Sequence, residues 1–93
     1  MAISKITRPN NLRAQVFQIT QTTTPYGQIY VTASYNFAES KVFAIANDSI
    51  YKIVIVTKTS TPYQYLVQLR KHADNSAPVS TEVNVNFMLL GFE

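Results

Sequence analysis

The chain of 93 residues contains no cysteine, so neither disulfides nor thiolate metal sites can reinforce it. Its two glycines, Gly27 and Gly91, are too few and too far apart to build a glycine-rich loop that cradles phosphate. Histidine occurs once, at His72, which leaves no second imidazole for a metal site. Charge is sparse at 14% of residues, and the five acids, Glu39, Asp48, Asp74, Glu82 and Glu93, are scattered. No pair of them is placed by spacing for the two-carboxylate chemistry of a glycosidase. His72 has Asp74 two residues on, but no serine is marked as a nucleophile beside it. No catalytic residue, metal ligand or cofactor site is expected, and the chain reads as a non-enzyme.

Long apolar runs are missing too: nothing approaches the roughly 18 residues of a membrane span. The start, Met1-Ala2-Ile3-Ser4-Lys5, has no apolar core following a basic segment, so no classical signal peptide is expected. The net charge of +3 is mildly basic, yet the eight cations are dispersed and only Arg70 and Lys71 are adjacent. A nucleic-acid binder concentrates its charge on one face, so nucleic acid is a disfavoured partner.

What is present is apolar and β-forming. Hydrophobic residues make up 46%, with six tyrosines and five phenylalanines, enough for the core of one small domain. Ser, Thr, Asn and Gln fill 30 positions against 13 charged ones, a balance associated with extracellular and virion-surface β proteins. That association favours a virion or extracellular location and leaves a cytoplasmic one open.

Period-two alternation marks the elements. Strands are expected at Arg13–Gln21, Gln28–Phe37, Lys41–Ala46, Ile50–Thr59, Tyr63–Lys71 and in the segment Ser80–Glu93. The third and fourth read as central strands, because apolar residues fall on both of their faces. Residues 1–12, with Ile3 and Ile6, form an N-terminal arm, linker or seventh strand. Turn signals lie at Thr24-Pro25-Tyr26-Gly27, Asn47-Asp48-Ser49, Ser60-Thr61-Pro62 and the long connection from His72. The fold class is therefore all-β: a small antiparallel β-sandwich of six or seven strands in one domain.

The last segment carries the most information. Val83, Val85, Phe87 and Leu89 share one face, expected to be the core. Glu82, Asn84 and Asn86 start the other face as polar, but Met88, Leu90 and Phe92 end it as apolar. With no disulfide or metal to stabilise so small a domain, Met88, Leu90 and Phe92 are expected to meet a second copy. Candidate ligand contacts are Tyr26, in a turn, and Arg70, His72, Asp74 and Asn75, whose cation, acid and amide suit hydroxyl-rich ligands. Tyr35, Tyr63 and Tyr65 read as core or core-edge residues.

Tyr35-Asn36-Phe37, Lys41-Val42-Phe43-Ala44, Thr57-Lys58-Thr59, Tyr63-Gln64-Tyr65-Leu66-Val67 and Val83-Asn84-Val85-Asn86-Phe87-Met88-Leu89-Leu90-Gly91-Phe92 form a recurrent order. From Gln28 onward it resembles the receptor-binding β-sandwich modules at the tips of bacteriophage tail fibres, and H-type lectin domains. Phe87 stands where a Trp is frequent, and Met88-Leu89-Leu90 replaces a small-residue pair. No sugar-site residue is carried over. The resemblance implies a homotrimer that binds cell-surface glycans or another host receptor. Two other readings stay open: an OB-like single-stranded nucleic-acid binder, and a purely structural assembly protein without ligand.

Overall fold

The computed structural model describes residues 11–38 and 42–93. The N-terminal strand or arm expected over residues 1–12 lies outside these residues, apart from Asn11 and Leu12. Six strands follow in order: β1 (Leu12–Thr22), β2 (Gln28–Thr32), β3 (Val42–Ala46), β4 (Tyr51–Lys58), β5 (Gln64–Lys71) and β6 (Glu82–Phe92). They form two three-stranded antiparallel sheets, β1-β6-β3 (sheet A) and β2-β5-β4 (sheet B). This is the small all-β sandwich that the alternation indicated. The molecule is 55 × 30 × 19 Å, and its shortest dimension fits two sheets about 10 Å apart plus their side chains.

The core lies between the sheets and comes from one parity of each strand. Val83, Val85, Phe87 and Leu89 of β6 face Tyr65, Val67 and Leu69 of β5, with Ile29 and Val31 of β2 beside them. All are buried to within 2% of full enclosure. Phe17 of β1 stacks on Phe87 at 5.1 Å between ring centroids, which locks the β1–β6 register. Burying a side chain of this size contributes about 1.5–3 kcal/mol. Alternation thus decides not only that these segments are strands but which face of each is dry.

β2 ends at Thr32, five residues before the expected boundary. Burial still alternates through Ala33 and Phe37, so the inward face was read correctly while the ladder was overextended. Tyr65 ties down this departing chain, because its hydroxyl accepts from the Phe37 N–H at 2.6 Å and donates to the Phe37 carbonyl at 3.3 Å. Tyr63, expected to align with Tyr65 in the strand, instead sits in the preceding turn at φ 64° and is 44% exposed. The Pro62 turn has to reverse the chain at that point, which puts Tyr63 before the start of β5, although its carbonyl still accepts the Ala33 N–H at 2.8 Å.

The expectation of central positions for the third and fourth strands is corrected: β3 and β4 are the edge strands of sheets A and B. A two-layer molecule has no third layer to cover the outer face of any strand. Apolar residues on both faces of β3 and β4 therefore mean exposed apolar side chains, among them Phe43, Ile45 and Ile55. β4 also carries a register shift between Ile53 and Ile55, which leaves Val54 as the extra residue.

Candidate functional site

Three turns share one end of the sandwich: Thr23–Gly27 between β1 and β2, Asn47–Ile50 between β3 and β4, and the connection from His72 to Thr81. Gly27, at φ +76°, is pressed against the last of these; a Cβ there would stand 2.8 Å from the Ala77 Cβ. Only glycine combines that backbone with that contact. Thr23 is buried and fastens the same junction, donating its hydroxyl to the Pro78 carbonyl and accepting from the Thr81 N–H.

All five candidate ligand residues lie at this end. Tyr26 is 75% exposed, and its carbonyl accepts from Gln68 Nε2 at 2.8 Å. Arg70 donates through Nη1 to the Asn75 carbonyl at 3.1 Å. Asp74 Oδ1 accepts from the Ser76 N–H at 3.0 Å and from its hydroxyl at 2.7 Å. The Ser76 hydroxyl first, and its N–H second, hold the Asp74 carboxyl below its ordinary range. Asn75 takes the left-handed conformation, φ 60°, that asparagine tolerates and that the reversal needs. His72 Nε2 lies 3.1 Å from the Asp48 carbonyl, and a carbonyl can only accept, so this bond places the proton on Nε2.

The polar groups of the loop thus satisfy one another as turn chemistry. Neither of two surface clefts reaches them: one is lined from β3 and β4, the other by Leu12, Arg13, Ala14 and Leu90. Any ligand here meets a surface on which Tyr26 is the most exposed large hydrophobic residue. The sequence missed Lys52, which stands opposite Arg70 across the β4–β5 ladder. Spacing within one segment cannot reveal such a pair, because it exists only through the register. Among the described residues no group of three or more His, Asp or Glu is placed to hold a metal ion.

The opposite half of the molecule carries a different surface. On the outer face of sheet A the register aligns Val16, Met88 and Ile45 in one row and Ala14, Leu90 and Phe43 in the next. Leu12 and Phe92 continue it. Val16 is 76% exposed, Phe43 60% and Ile45 54%, while Met88, Leu90 and Phe92 are half-buried. Toward the loop end the same face turns polar, with Gln18, Thr20, Asn84, Asn86 and Glu82. Met88, Leu90 and Phe92 therefore lie outside the core, in an apolar patch spanning three strands. Their contributors, Leu12, Ala14 and Val16 from β1 and Phe43 and Ile45 from β3, were not recognised as part of it, since only the registers bring them beside β6.

The two flanks of the sandwich differ as sharply. On the β1–β2 flank, Gln21 donates through Nε2 to the Tyr30 carbonyl at 3.0 Å and accepts the Tyr30 N–H at 2.9 Å. Gln15 Oε1 accepts the Ser34 N–H at 2.7 Å, and three hydrogen bonds join Thr24 and Gln28. Side chains here replace the strand that the β2 edge lacks. The β3–β4 flank has no such cover among the described residues. It opens into a cleft of about 190 Å³ walled by Val42–Ala44 and Ile53–Val56.

Comparison of the chain with protein-family models, with curated proteins and with solved structures finds no match in any of the three.

Proposed function

We propose that this chain is a non-enzymatic assembly module that is held to further copies of itself at one end and presents a ligand-binding loop cluster at the other. One observation carries the reading: along the long axis the surface separates into an apolar half on sheet A and a polar, loop-rich end around Tyr26 and Arg70–Ser76. An apolar patch across three strands, with Arg13 bordering its Leu12–Ala14–Leu90 cleft, is the kind of surface that becomes an interface. A loop cluster that neither cleft reaches suits weak contacts, which gain strength when several copies engage at once.

Cell-surface glycans are the ligand class this reading favours. Tyr26 offers a flat ring, and Arg70 with Lys52 offers donors, a combination that fits hydroxyl-rich and acidic sugars. The setting would be a virion or extracellular assembly, in keeping with the amide- and hydroxyl-rich composition and the fibre-tip resemblance. That resemblance implies three copies; the apolar face itself sets no order.

Leu90→Asp tests the assembly. It puts a charge at the centre of the patch without touching the buried parity of β6. Light scattering should find the wild-type chain as an oligomer and the variant at a lower mass, with the strand signal in circular dichroism retained. A monomeric wild type, or a folded variant of unchanged mass, rejects the reading. For the ligand, Tyr26→Ala should abolish signal on a glycan array that the wild-type oligomer gives. Blank arrays for the wild type would leave the module structural only.

A further inference from the structure

The patch on sheet A and the open flank meet at β3, and among the described residues no strand or side chain pairs with the outer edge of β3. The Asn47 N–H donates to the Asn86 carbonyl, so Asn47, Ile45 and Phe43 point their main-chain groups at β6. By the same alternation Val42, Ala44 and Ala46 direct theirs away from β6, on the side where β3 and β4 border the cleft. No charged side chain, proline or bulge interrupts Val42–Ala46, the devices by which exposed edges are usually blunted. Sheet B differs: glutamine and threonine side chains cap β2, while β4 has its bulge at Val54 and lysines at 52 and 58. An 11-residue edge is also present on β1, but Gln15 and Gln21 make that flank polar.

We propose that β3 pairs antiparallel with β3 of a second copy about a two-fold axis at Ala44, joining the two A sheets into one six-stranded sheet. This goes beyond the assembly reading, which it extends by naming the occupant of the flank and the register. The strand is complementary to itself in that arrangement. Ala44 meets Ala44 of the other copy, and Val42 meets Ala46, in hydrogen-bonded pairs that supply about six main-chain bonds. Phe43 then falls opposite Ile45 in the non-hydrogen-bonded pairs, where side chains approach closest, and aromatic–β-branched neighbours stabilise a ladder. No charge of either copy is opposed across Val42–Ala46, which matters for a chain of net charge +3.

Area supports the same conclusion. Three strands about 4.8 Å apart and three rows about 7 Å apart give the patch on sheet A roughly 300 Å² when flat. A stable pair buries about 800 Å² on each partner, so one copy's patch is too small to hold another face to face. Joining two copies through β3 sets their patches side by side on one face and doubles the area available to a further pair. Even-numbered assemblies follow.

The test combines mass with hydrogen exchange on the full chain. In the wild type, light scattering should give two or four copies, and the amides of Val42, Ala44 and Ala46 should exchange at least tenfold more slowly than in an Ala44→Pro variant's remaining edge amides. Proline at 44 removes only the outward N–H, which an edge strand tolerates. That variant should fall to half the wild-type mass with its circular dichroism kept. If it fails to fold, Ile45→Lys and the wild-type exchange pattern take its place. Three copies, or fast exchange at Ala44 in an oligomer, overturns the seam and leaves the assembly reading standing. A protected Ala44 with a mass indifferent to Leu90→Asp does the reverse. A monomer with fast exchange overturns both.

Discussion

Tyr65 shows how one polar atom in a dry core can hold two segments. Its ring is fully buried against Phe37, edge-on at 5.7 Å, and its hydroxyl serves both main-chain groups of Phe37. Removing that oxygen in Tyr65→Phe strands a buried N–H and carbonyl, at a cost of about 1–3 kcal/mol in urea unfolding. Burial raises the hydroxyl's pKa above its ordinary value of 10.0, with the Phe37 bond opposing. The unfolded chain then releases this proton first. Stability is undiminished below about pH 10 and falls as pH climbs toward the raised folded value. Tyr65→Phe should remove this part of the alkaline loss, so the wild type and variant stability curves should converge above pH 10. Parallel curves up to pH 11 would show that Tyr65 contributes no linkage.

At the scale of the element, edges matter more than centres. Gln21 completes the outer edge of β2 at Tyr30 with both ends of its amide. Gln21→Ala should raise the exchange rate of the Tyr30 amide by at least tenfold, while Val67, whose strand is paired on both sides, keeps its rate. Equal rates in the two proteins would mean that water serves this edge as well as glutamine does. The same contrast explains what the sequence disclosed. Val83, Val85, Phe87 and Leu89 were legible as core because alternation reports one dry face directly. The edge positions of β3 and β4 were not, since Phe43, Ile45, Val54 and Ile55 look the same whether a third layer covers them or nothing does. Nor could a glutamine that caps a foreign strand be told from a solvated one, because its partner lies 9 residues away in sequence, across the gap between sheets.

For the whole molecule, the loop cluster around Tyr26 and the apolar patch on sheet A occupy different ends of a 55 Å body. Tyr26 and the stretch with Arg70, His72, Asp74 and Asn75 were readable only as separate candidates, and their convergence at one end follows from the strand directions. What stayed hidden was the apolar patch as a surface, which needs Val16, Met88 and Ile45 placed in one row by two registers. If copies are held together through that face, the melting temperature should rise with protein concentration, by mass action. A thirtyfold dilution then lowers it by several degrees in a domain of this size. A melting temperature independent of concentration would mean that each copy is stable without the contact.

The order of strands in sheet A also bears on how the chain acquires its shape. β6 lies between β1 and β3 and pairs with both, Leu12 with Phe92 at the extreme. Sheet B, by contrast, closes within residues 28–71. A growing chain can therefore complete one layer while β1 and β3 wait for the strand that joins them, separated from it by a loop whose closure is entropically costly. During that interval Phe17, Val16, Phe43 and Ile45 have no partner, and a neighbouring nascent chain offers the same unfinished layer. Synthesis paused before Val83 should leave a species prone to cross-pairing, and the final strand acts as the closing step that withdraws it.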